Sequence, residues 1–304
     1  MSASPTPAEL PGQTPSNNYT SPEKVEQFIN DIVCLCLERS RRALLNQKIN
    51  MAILIVITIF ILISAGLAAY FLKNDRGEKE PIGALWLAFG FGFLGAIAAS
   101  VIEGLLPIKD LTTSAPLGAL FVSAMLVGVV EEACKFIPLS LYLYPKRYFN
   151  EYTDGLIYFG LAGLGFGLPE NILYTIAFGA GTGAGRILLT PFFHAATTSL
   201  AGYFLIKMKI NKRPRREAWL VLAAMMFTHG LYDFGLASKI PLLSLLSVCI
   251  TLTMTIILFV LYSKATYKDQ QLGLSAVGHN SFCRNCGTPN PDNLLYCTHC
   301  GKHA

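Results

Sequence analysis

The sequence predicts an all-α protein that crosses the membrane about seven times and ends in a small cysteine-rich module. Three observations carry that reading. Of its 304 residues, 53% are hydrophobic and only 14% charged, against roughly 25% charged in an ordinary soluble domain, and the mean hydropathy is +0.47. The apolar residues fall in continuous runs long enough for the ~20 residues that a hydrocarbon layer requires. Four of the eight cysteines lie together near the carboxyl end. Such a composition excludes a soluble single-domain enzyme. The modest net charge of +5, from 24 Lys+Arg against 19 Asp+Glu, excludes a basic nucleic-acid binder, so no nucleic acid is expected as a partner.

Taken in order, residues 1–22 are rich in Ser, Pro, Thr and Asn, the composition of a disordered tail. They lack the charged start, apolar core and small-residue cleavage site of a signal peptide. Residues 23–48 are expected to form an amphipathic helix, with Cys34 and Cys36 as interfacial or lipid-modifiable thiols. Seven spans follow at 51–72, 83–106, 117–144, 154–179, 186–207, 218–238 and 240–263, separated by polar or proline-marked loops such as 73–81 and 209–217. They should be helices, because lipid offers the backbone no hydrogen-bond partners and the runs lack the alternation of a barrel. With this threading, thirteen Lys and Arg lie on the side of the carboxyl end and seven on the other. The bias places the carboxyl end in the cytoplasm of a cell-membrane protein. Four of the seven (Arg39, Arg41, Arg42 and Lys48) precede the first span, where positive charge should mark the inside, which runs against an amino end on the outer side.

Beyond a linker at 264–280, residues 281–304 read as a zinc ribbon. Cys283-x-x-Cys286 and Cys297-x-x-Cys300 are separated by ten residues, and each pair is followed by a glycine, Gly287 and Gly301. Two such turns bring four thiolates to one tetrahedral Zn²⁺, which leaves no open position and makes the metal structural. The rival reading, two disulfides, is opposed by a reducing cytoplasm. His299 and His303 lie nearby but are not needed as ligands. About 25 residues cannot build a core without a metal, and the module is expected to steady the protein or meet a cytoplasmic partner.

The spans contain charges. Glu131, Glu132 and Lys135 lie in the third, Glu170 in the fourth, His194 in the fifth, and His229 and Asp233 in the sixth. Each carboxylate or lysine at mid-membrane costs about 2.5–3.5 kcal/mol, so five facing lipid would oppose insertion by on the order of 12–18 kcal/mol. They should face one another or a wet cavity. Counted from one membrane face, Glu131, Glu170, His194, His229 and Asp233 fall within a layer about 8 Å deep at 1.5 Å per residue. Glu131 and Lys135 share a helix face, as do His229 and Asp233. Glu132 points about 100° away from Glu131, so one glutamate can pair with Lys135 while the other faces the cavity. Pro169 is expected to kink its helix beside Glu170, and Gly163 and Gly167 to admit a close neighbour. Four carboxylates and one lysine leave a net negative site that a divalent cation, zinc being the one expected, or protons would offset. The alternatives to an active site are a structural polar network and an ion or proton pathway.

These residues resemble the PrsW family of intramembrane proteases, relatives of the CAAX-protease and bacteriocin-processing superfamily. Its EExxK motif is matched by Glu131, Glu132 and Lys135, and its GFxxxENxxY pattern by Phe166, Glu170, Asn171 and Tyr174. The histidine followed by small and Thr residues is matched by His194 through Gly202. HGxY followed by Asn or Asp is matched by His229, Gly230, Tyr232 and Asp233. The resemblance covers about residues 85–240. CAAX proteases carry a histidine where Glu170 stands, so cleavage of prenylated peptides is not implied. The resemblance implies hydrolysis of peptide bonds in membrane-anchored proteins. Glu131 or Glu132 would activate water, and Lys135 would orient the pair. Glu170, His194 and His229 would serve as metal ligands or polarising groups, and Asp233 would support His229. A transporter would use the same carboxylates but should show paired repeats with broken helices. A membrane scaffold recruiting partners through the ribbon should show degraded motifs. Neither is seen.

Overall fold

A computed structural model describes residues 22–106, 116–212, 216–272, 281–283, 285–290, 296–297 and 299–302. The expected disordered tail lies outside these residues except for Pro22, as do Lys109, Arg213, Arg215, His303, the linker stretch 273–280 and the side chains of Cys34 and Cys36. The described chain is helical. Its helices are α1 (Pro22–Asn74), α2 (Ile82–Leu105), α3 (Leu117–Leu143), α4 (Tyr152–Phe178), α5 (Ala180–Ile187), α6 (Thr190–Asn211), α7 (Arg216–Ala237) and α8 (Pro241–Gln271). Strands β1 (Ser281–Phe282) and β2 (Pro289–Asn290) pair antiparallel, Ser281 opposite Asn290.

The chain divides into two units, Met1–Met51 and Ala52–Ala304. In the first, α1 is helical from Pro22, and every described side chain is exposed. No turn separates the segment read as amphipathic from the apolar span after it. The second unit holds everything else.

Among the described residues, six helices, rather than seven, are long and apolar enough to cross a membrane: α1 from Glu38, α2, α3, α4, α7 and α8. The predicted fifth span, 186–207, is split into α5 and α6 at residues 188–189. Although α6 carries His194, three threonines, Lys207 and Lys209, most of its side chains are buried in protein. A helix walled by other helices need not match lipid, which explains why it is less apolar. The range read as a linker is helical up to Gln271.

Helix α4 runs through the middle and is buried continuously from Tyr152 to Gly167, packed against α2, α6, α8 and α3. Its low polarity and seven glycine or alanine positions let neighbours approach on several sides. Along α6 the register is antiparallel. Gly155 stands against the Gly202 carbonyl, and Gly163 against the carbonyl of His194. A methyl group at Gly163 would collide with that backbone. A matching approach joins α3 to α7, where a Cβ on Gly128 would come within 2.5 Å of the Gly230 nitrogen. Both close crossings lie beside residues singled out from the sequence. Pro169 is accommodated without ending α4.

The start of α4 is fastened by carboxylates. Asp154 accepts from the Glu151 amide at 2.8 Å. Asp269 of α8 accepts from the amides of Tyr152 and Thr153 at 2.8 and 3.0 Å. These bonds satisfy donors that the first turn of a helix leaves without partners.

Candidate active site

Glu131, Glu132 and Lys135 emerge from one face of α3 toward α6 and α7, which deliver His194 and His229. Lys135 is fully buried. Its Nζ donates to Glu131 Oε2 at 3.2 Å, Glu132 Oε1 at 3.0 Å and His194 Nδ1 at 2.9 Å, and lies 4.0 Å above the Phe166 ring. Both glutamates therefore meet the lysine, a correction to the expectation that only one would. The spacings i,i+3 and i,i+4 both lie within reach of a long flexible side chain. The two differ in access instead. Glu131 lines a cavity of about 550 Å³, whereas Glu132 is fully buried among Lys135, His229 and Thr197.

The two imidazoles stand with ring centres 5.3 Å apart. His194 places Nε2 2.7 Å from Glu170 Oε2, and His229 places Nδ1 2.7 Å from Glu132 Oε1. The other nitrogen of His229 lies 3.3 Å from Glu131 and 3.5 Å from Asp233. Phe193 stacks on Tyr232 at 4.0 Å and meets His229 edge-on, which confines that ring. All seven residues singled out from the sequence thus lie in one connected network.

Two participants escaped the sequence reading. Arg186, at the end of α5, donates to Glu170 and, at 3.2 Å, to Asn171 Oδ1. Glu103 of α2 lines the same cavity, and its Oε1 has no hydrogen-bond partner among the described residues. Both fell within or at the edge of predicted spans, and a charge in such a place was the signal available.

The donor set fits a divalent cation. Glu131, His194 and His229 offer ligand atoms that all lie within 4.8 Å of one another, and all three residues are buried. Each imidazole turns one nitrogen to a carboxylate and the other toward the shared centre, the arrangement by which metal-binding histidines are oriented. Two imidazoles and a carboxylate are also a ligand set of catalytic metal sites. The ammonium of Lys135 facing His194 Nδ1 marks the centre as one shaped for positive charge. Glu170 lies outside this donor group and bonds His194 from behind.

Cys283, Cys286, Cys297 and Cys300 form the second group able to hold a metal. Cys283 and Cys300 sulfurs lie 3.5 Å apart, and those of Cys286 and Cys297 3.6 Å. Disulfides would need about 2.05 Å, whereas four sulfurs about 2.3 Å from one zinc lie about 3.8 Å apart. Each turn closes with a glycine amide bonded to the first cysteine's carbonyl, at 2.8 Å for Gly287 and 2.9 Å for Gly301. Both glycines have left-handed backbones, φ 68° and 69°, which L side chains disfavour.

Fold and site together define an integral membrane protein of apolar helices with a buried cluster of carboxylates, imidazoles and an ammonium, three of whose groups could hold a cation. The profile of the PrsW family intramembrane metalloprotease matches residues 80–262. Protease PrsW of Bacillus subtilis (strain 168) is 32% identical over 187 residues, covering 59% of this chain and 84% of the relative. Protease PrsW of Geobacillus kaustophilus (strain HTA426) is 34% identical over 187 residues, 59% and 81% of the two chains. Protease PrsW of Clostridioides difficile (strain 630) is 28% identical over 197 residues, 62% and 79%. No solved structure matches the chain. The chain belongs to the PrsW family of intramembrane metalloproteases. It is an enzyme that acts on protein, and the transporter and scaffold readings give way. The tail and the ribbon lie outside the matched region.

Proposed function

We propose that the chain hydrolyses a peptide bond of a membrane-associated protein whose backbone enters the cavity beside Glu131. The observation that carries this reading is the meeting of Glu131, His194 and His229 at a cavity of about 550 Å³. Of the two glutamates, Glu131 faces the cavity and is placed to take the proton from an attacking water. Lys135 and His229 offset the charge on its carboxylate. Glu132 holds His229 through Nδ1 and Lys135 through Nζ, which leaves the other imidazole nitrogen toward the centre. Asp233, also on the cavity wall, supports His229 from one turn away.

Glu131, His194 and His229 would hold a divalent metal, zinc by their chemistry, and it would acidify water and polarise the scissile carbonyl when bound. A carboxylate has two oxygens, so Glu131 can serve as donor and as proton acceptor. The apolar walls of the cavity, Leu173, Phe178 and Leu236 among them, suit a segment drawn from lipid and limit access of bulk water.

The four ribbon cysteines would hold a structural zinc, with an exposed face free for a cytoplasmic protein partner. The excess of Lys and Arg in the loops on its side supports a cytoplasmic carboxyl end. Comparing membrane proteomes of cells carrying the wild type, Glu131→Gln or His229→Ala tests the reading. At least one membrane-anchored protein should lose its cleaved form in both variants. Unchanged processing in both would overturn it.

A further inference from the structure

The proposed reaction uses Glu131, His194 and His229 but leaves Arg186 without a duty. That residue is a part-buried cation, its side chain 10% exposed, on a short helix rich in glycine, and it is tied at three points to α4. Its guanidinium donates to Glu170 through Nη2 and, at 3.2 Å through Nε, to Asn171 Oδ1, and it lies 4.0 Å over the Tyr174 ring. Asn171 is itself held by its bond to the Gly167 carbonyl at 2.7 Å. The forked, planar head of arginine suits such a two-pronged hold.

Glu170 spends one oxygen on Arg186 and the other on His194 Nε2 at 2.7 Å. A carboxylate clamped by a guanidinium can only accept, so Nε2 must carry the imidazole proton. On the opposite side of the ring, Lys135 Nζ at 2.9 Å can only donate, so Nδ1 must offer its lone pair. The two demands agree. They fix one neutral tautomer, with the lone pair of His194 turned to the centre.

We propose that Arg186 is a positioning residue: through Glu170 it sets the tautomer and ring orientation of His194. It touches neither water nor metal in this role. Because α5 also forms part of the cavity wall, through Gly181, Thr182 and Gly185, the same residue links that wall to the centre. The catalytic consequence rests on the reaction proposed above, whereas the tautomer does not.

The purified full chain, labelled with ¹⁵N in its histidine rings, tests this directly, with the His194 signals assigned by their loss in His194→Gln. The wild type should show the Nε2–H tautomer. Arg186→Gln and Glu170→Gln each remove one of the two restraints, so the share of the Nε2–H tautomer should fall while Lys135 keeps it the major form, and Arg186→Lys, which keeps the charge, should stay closer to the wild type. With a single-pass membrane reporter, kcat should fall about 10–100-fold in either glutamine variant with KM within about twofold, and the double variant should be no worse than the single ones. An unchanged tautomer in both Arg186→Gln and Arg186→Lys, or losses that add in the double variant, would overturn the assignment. Intact tautomer changes with no cleavage of the reporter by wild type would instead count against the proteolytic reading alone.

Discussion

Replacing Lys135 by Met asks how the centre is held together. The two side chains are similar in length and both fill a buried slot, so the change removes charge and hydrogen bonds more than volume. The lysine has no solvent exposure, and its Nζ serves Glu131, Glu132 and His194 at 2.9–3.2 Å. Without it, two adjacent buried carboxylates face each other with only imidazole donors and the Thr197 hydroxyl left. Removing one partner of a buried ion pair costs about 3–5 kcal/mol. For a protein of this size about 2–4 °C of melting temperature is lost per kcal/mol, so Lys135→Met should melt about 6–20 °C lower in the same detergent. Adding Glu132→Gln removes a charge that the first change orphaned, so the double variant should recover part of the loss. Thermal unfolding followed by intrinsic fluorescence reads both. A Lys135→Met protein that melts within about 2 °C of the wild type would show that the ammonium does not hold the centre. A double variant whose loss is the sum of the two single losses would do the same.

The membrane-flanking loop offers a pH test. Burial pushes the carboxyl of Glu80 up to about 8 from its ordinary 4.5, even though the Tyr158 hydroxyl donates to it and Asp154 bonds it; Asp75 and Glu151 add repulsion. The folded chain keeps this proton to higher pH than the unfolded chain, so stability falls as pH rises from about 4.5 through about 8. Glu80→Gln should flatten that slope in melting curves across the same range, and an unchanged slope would refute the assignment. For the ribbon, elemental analysis of the full chain and of one ending after Leu272 should differ by one zinc per chain. The cut is placed there because Asp269 must stay to hold the amides of Tyr152 and Thr153. Equal zinc in both would remove the metal from the cysteines, and zinc left in the shorter chain would belong to the membrane centre.

Much of this protein was readable without coordinates. Charges are so costly in lipid that Glu131, Glu132, Lys135, Glu170 and Asp233 could be expected to meet, and the layer they share placed the meeting. The helix limits of α2, α3 and α7 agree with the spans to within two residues, because hydrocarbon sets both length and composition. Repeated Cys-x-x-Cys-Gly turns announced their own geometry.

Packing decided the rest. That α6 is shielded by protein could not be read from its modest hydropathy, since polarity says what a helix tolerates and not what surrounds it. Which glutamate reaches the cavity depends on how α3 crosses α7 at Gly128 and Gly230. The partnership of Arg186 with Glu170 spans sixteen residues and a break between helices, where no periodicity carries information. Sequence determined which residues lipid would drive together, because burial energy is a property of each side chain; only the crossing of the helices decided which atom of each faces which, because direction is a property of the assembled backbone.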